Sequence, residues 1–124
     1  MAITIDGDSG VSGVNGSATT PALQGTDSNT GIVFGTDTVQ VATGGITRAT
    51  VDSSGNVGIG TTSPGSFNSN ANQLVISGSG NTGLTIDATS STSSSIHFAD
   101  GSSGNESYRG IVEYDHSNDS MLLY

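Results

Sequence analysis

The residues that could do chemistry in this 124-residue sequence lie in a few short places. Asp115-His116-Ser117-Asn118-Asp119 gathers four oxygen or nitrogen ligands in five positions. The same composition suits a hairpin turn whose Asp and Asn side chains bond their own backbone, and the turn is the stronger reading. Asp6 and Asp8 open like a calcium loop, but position 17 is Ser where such a loop needs a bidentate Glu, so an exposed turn is expected. His97 alternates with Ile96 and Phe98 and belongs on the face opposite them. A lone His seldom holds a metal; the remaining metal geometry would share His97 or His116 among three symmetry-related chains. Ser, His and Asp are all present, yet no elbow motif frames a nucleophile. Gly58-Ile59-Gly60 and Gly78-Ser79-Gly80 pair glycines, but neither runs into a helix that could present its N-terminus to a phosphate. No catalytic residue, metal ligand or cofactor is therefore expected, and the chain does not read as an enzyme.

The elements that would carry these residues are short strands. Ser, Thr, Gly and Asn make up 65 residues, and Ile, Leu, Val and Phe only 26. That aliphatic share lies near the ~20% below which chains tend to be disordered. Ile and Val supply 18 of the 26, and 16 Thr add further β-branched side chains, which favours sheet. Apolar alternation recurs every 8–12 residues between turn signals, roughly the spacing of all-β folds, and no convincing 3.6-residue period appears. So few large apolar side chains offset the entropy of ordering the chain poorly, which points to identical chains sharing one core.

Nine Asp, two Glu and two Arg give a net charge of −9, a poor match to nucleic acid or anionic membranes. Arg48 and Arg109 are each expected to pair with a carboxylate, within the chain or across to a neighbour. There is no Cys and no run of 18 apolar residues, and the N-terminus lacks the basic and apolar regions of a signal peptide. Synthesis in a cytoplasm is expected. The final Met-Leu-Leu-Tyr stops in mid-strand, so the natural polypeptide is expected to continue beyond 124.

The spacing predicts four parts. Residues 1–22, with Ile3 and Ile5 alternating in a short strand, form a terminal segment that orders by docking. Residues 23–64 form a first β module, ending in Val51-Asp52-Ser53-Ser54-Gly55-Asn56-Val57-Gly58-Ile59-Gly60-Thr61-Thr62-Ser63-Pro64, a strand–turn–strand stretch. Residues 65–72 are a linker, and 73–124 a second module with strands at Leu74 and Ile76, Leu84 and Ile86, Ile96 and Phe98, 108–115 and 121–124.

The 51–64 stretch resembles the repeated signature of bacteriophage tail-fibre and related virion fibre proteins, especially of marine and cyanobacterial phages. Asp27-Ser28-Asn29-Thr30-Gly31-Ile32 with Asp37-Thr38-Val39-Gln40-Val41-Ala42-Thr43-Gly44-Gly45 resembles the sequence that often precedes it. Residues 109–121 are similar to a second fibre element, and Met1 to Gly7 to the start of such proteins. The resemblance implies an elongated homotrimer of short-strand modules, β-prism-like or triple-β-helix-like, anchored on the virion and projecting a host-receptor-binding tip. Many such proteins end in a self-cleaving chaperone domain, and nothing here matches it.

On that basis Ile3 and Ile5 would dock on the virion. Val39, Val41, Val51, Val57, Ile59, Leu74, Ile76, Leu84, Ile86, Ile96 and Phe98 would fill the trimer core. Expected partners are two further copies, other tail or virion proteins and, through a region outside this chain, a host receptor. The other readings are a capsid fibre or decoration protein, or an adhesin whose Ser/Thr faces and Tyr108, Tyr114 and Tyr124 touch glycans.

Overall fold

The structure, a computed structural model, describes residues 4–6, 10–12 and 15–124. The chain is all-β and divides into two units, 1–83 and 84–124.

In the first unit, β1 (Thr4–Asp6) pairs antiparallel with β2 (Gly10–Ser12), and β3 (Gly16–Ser17) with β4 (Thr20–Pro21). The main sheet has six strands: β5 (Leu23–Gln24), β6 (Gly31–Gly35), β7 (Thr38–Thr43), β8 (Ile46–Val51), β9 (Val57–Ile59) and β10 (Leu74–Ile76). They lie in chain order, antiparallel from β5 to β9, and β10 closes the edge parallel to β9. β7 and β8 meet at Gly44-Gly45, with φ 59° and 76°, the left-handed pair that a two-residue hairpin turn needs.

The connection from β9 to β10 carries a 3-10 turn, Pro64–Ser66, and folds back over the sheet. Gly58 makes this possible. A Cβ there would lie 2.6 Å from the Thr61 carbonyl oxygen and 3.4 Å from Pro64 Cδ. Leu74–Ile76, expected to open the second module, thus completes the first sheet, because the chain between the strands is long enough for a parallel crossover.

The second unit is a three-stranded antiparallel sheet of β11 (Ser93–Phe98), β12 (Gly110–Asp115) and β13 (Ser120–Leu123). A 3-10 turn, Gly104–Tyr108, lies between β11 and β12. The strand expected at Leu84 and Ile86 is not formed; residues 78–92 run as extended coil and turn. Two alternating apolar residues between Gly- and Ser-rich flanks supply too little side-chain contact to fix a ladder. Ser93, Ser94 and Ser95 lie inside β11, where their backbones pair with Asp115, Tyr114 and Glu113.

A candidate assembly surface

Register sorts the main sheet into two unlike faces. One cross-strand row runs Phe34, Val39, Val51, Val57, Leu74, and the next runs Leu23, Ile32, Val41, Ala49, Ile59, Ile76. Every member is apolar, and among the described residues of this unit the face is open: Val41 is 40% exposed, Ile59 43% and Leu74 60%, with Ile32, Phe34, Ala49, Val57 and Ile76 half-buried. The opposite face carries the row Val33, Gln40, Thr50, Gly58, Val75. It is the covered one, with Ala42 at 0% and Thr50 at 2% exposure.

Small and polar residues, Ala42, Thr50 and Gly58, share the covered face with Val33 and Val75, which are buried there, while most of the large apolar side chains of the sheet lie on the open face. The small residues have a steric cause. Thr61 and Pro64 pack against Gly58, and Pro21 lies beside Gly31, an approach that larger side chains would block. Six strands ~4.8 Å apart and two residue rows deep make an open apolar patch on the order of 300 Å² in the sheet plane. That is the range of the largest patch on a typical monomer, about 300–600 Å², which is often functional.

The second unit also leaves an apolar face open, on a smaller scale. Ser94, Tyr114 and Met121 form one row, and Ile96, Val112 and Leu123 the next. Ile96, Phe98, Met121 and Leu123 are exposed. Ile86 lies over part of this face and helps enclose a shallow cavity of about 120 Å³ with Ser94, Ile96, Val112, Tyr114 and Met121.

Of the residues expected in a shared core, Val39, Val41, Val51, Val57, Ile59, Leu74 and Ile76 fall on the one open face of the first sheet, and Ile96 and Phe98 on that of the second. Leu84 and Ile86 are off any strand. Ile3 lies outside the described residues, and Ile5 is in β1 opposite Val11. Phe34, Ile32, Met121 and Leu123 belong to the same faces but were not expected there. Their membership follows from strand register, which the alternation alone does not specify.

The polar groups serve the turns. Asp52 Oδ1 accepts from the N–H groups of Ser54 and Asn56, both at 2.9 Å, and Oδ2 accepts from Asn56 Nδ2 at 3.0 Å. The Asn56 side-chain bond, helped by backbone amides, holds this carboxyl below its ordinary value. Asp115 does the same in the β12–β13 turn: its carboxylate accepts from the Ser117 hydroxyl, the Ser117 N–H and Asn118 Nδ2, which lowers it likewise. The 115–119 cluster is therefore a turn, and among the described residues no group of three His, Cys, Asp or Glu is placed to hold a metal.

His116 Nε2 lies 3.0 Å from Ser94 Oγ, beside the cavity that Ser94 lines. Ser94 Oγ also lies within donating distance of the Ile86 carbonyl, at 2.9 Å. With the backbone N–H of His116 donating to the Thr92 carbonyl at 3.0 Å, these bonds strap residues 86–92 to the sheet. His97 Nε2 meets Ser95 Oγ at 3.0 Å on the opposite face.

No family model, curated protein or solved structure matches the chain. The geometry of the two open faces therefore carries the functional argument. Among the described residues no helix is long and apolar enough to cross a membrane.

Proposed function

We propose that this chain is a structural module of a bacteriophage tail fibre, a homotrimer that anchors on the virion and projects a receptor-binding tip. The observation that supports it is the one-sided sheet of the first unit. One face is sealed by its own chain over Val33, Ala42, Thr50 and Val75, and the rows of Val, Ile and Leu side chains on the other are left open. Burying that face against identical copies supplies the core that 26 large apolar residues cannot build in one chain. The turns, locked by their own carboxylates, suit a rigid spacer, and the motif at 51–64 gives the virion-fibre resemblance.

Sedimentation and native mass spectrometry test this directly. A trimer is expected down to low micromolar concentration. A stable, folded monomer would overturn the shared-core argument, and with it the fibre reading.

A further inference from the structure

The two cations of the chain are placed very differently. Arg109 Nε pairs with Asp100 at 3.1 Å on an exposed surface, a contact of small energetic weight. Arg48 sits in β8 where the register against β7 shifts: Val41 faces Ala49 and Ala42 faces Thr47, leaving Arg48 without an opposite residue. Such a bulge re-aims the extra side chain. Here Arg48 Nε donates to Thr43 Oγ1 at 2.9 Å. Thr43 faces Ile46 and lies two residues beyond Val41, so the guanidinium borders the open apolar face. Its remaining N–H groups meet no acceptor among the described residues.

Covering that face with a neighbour takes the charge out of water, and an unpaired buried charge is strongly unfavourable. The neighbour must bring an oxygen. Among the carboxylates at the turns of the main sheet, Asp27 already accepts from the Asn29 N–H and the Thr30 hydroxyl, and Asp52 from Ser54 and Asn56. The Asp37 carboxylate accepts no hydrogen bond among the described residues. It stands in the β6–β7 turn at φ 53°, beyond Phe34 and Val39, on the opposite rim of the same face. The length of β7 separates it from Arg48 by roughly 20 Å, at about 3.4 Å per residue, so the two cannot meet within one copy.

We propose that Arg48 of one copy pairs with Asp37 of the next, so that the strands of the six-stranded sheet run across the axis of association and not along it. The proposal rests on the trimeric reading. In a ring each copy offers one rim to one neighbour and the other rim to the second. Strands running along the axis would instead set the three Arg48 side chains at one level and the three Asp37 at another. The planar fork of Arg suits a carboxylate in such a partly buried place.

A double-mutant cycle on the full chain tests it, with Arg48→Gln, Asp37→Asn and the combination. Asn keeps the left-handed backbone at 37 accessible. Each single change is expected to raise the dissociation constant of the assembly by roughly 30-fold or more. The double change should cost no more than the worse single one, with circular dichroism of the β signal unchanged. Additive losses, a loss with Arg48→Gln but none with Asp37→Asn, or no loss at all would each overturn the pairing. A wild-type monomer overturns the trimeric reading itself, whereas a wild-type trimer with an additive cycle overturns only the pair.

Discussion

Asp52 and Asn56 close the β8–β9 turn twice over. The carboxylate accepts both the backbone N–H and the side-chain amide of Asn56, while the Asp52 N–H donates to the Asn56 carbonyl at 2.9 Å. The folded carboxyl titrates below its ordinary 3.8, and Asp115 behaves alike. A depressed folded value means that the stabilisation is fully present above the unfolded value and is lost as pH falls through the folded one. Thermal unfolding midpoints should hold above pH ~4 and drop below it. Asp52→Asn should lower the midpoint at neutral pH and reduce the acid dependence. Melting curves at a series of pH values check both.

Gly60 has φ 75°, and a Cβ on it would run into the Ser77 carbonyl oxygen; a Cβ on Gly58 would lie 2.6 Å from the Thr61 oxygen. Gly60→Ala and Gly58→Ala should each destabilise the first unit by about 2 kcal/mol or more, through strain and backbone collision. Gly80 faces open space, and Gly80→Ala should change stability by no more than ~0.5 kcal/mol. Denaturant midpoints at fixed protein concentration separate the three.

Thr50 is buried on the covered face, and its Oγ1 has no hydrogen-bond partner among the described residues. An unpaired buried hydroxyl loses its hydration without recompense. Thr50→Val keeps the branched shape and removes the hydroxyl. The variant should be more stable by ~1 kcal/mol. Loss of stability in the same denaturant titration would show that the hydroxyl is paired.

Tyr114 donates its phenol to Asp119 Oδ1 at 3.1 Å, and this bond with the nearby negative charge raises its titration above the usual 10. Asp119→Asn should return the phenol towards its ordinary value. Ultraviolet absorbance titration of the wild type and the variant reads the change. Because Asp119 has φ 50°, Asn is the substitution its backbone accepts with least strain.

Alternation at Val39 and Val41, at Ala49 and Val51, and at Val57 and Ile59 made the strands and their apolar face legible, as did Gly44-Gly45 for the hairpin. The 115–119 segment was legible as a turn for the same local reason. The partner of Leu74–Ile76 was not, because parallel pairing with β9 is decided by how the intervening chain packs on Gly58. Nor was the bulge at Arg48, since the flanking alternation in Ile46 to Val51 reads as an unbroken strand. Leu84 and Ile86 carried a strand-like pattern without a neighbour to pair with. Local pattern governs the hairpins; crossovers, bulges and missing ladders are decided at longer range.

The parallel strand β10 also fixes an order of events. β6 to β9 are joined by short turns and can zip as successive hairpins within microseconds. β10 must wait for residues 60–73 to loop back, a slower, entropy-limited closure. Until then Val75 and Pro64 leave the small-residue side unsealed, and a nascent chain is sticky on both sides of its sheet. Closure of the crossover is what makes the chain one-sided. In the proposed trimer, copies that meet after this step would find a single face of this sheet to choose, which would guard against mispairing during synthesis.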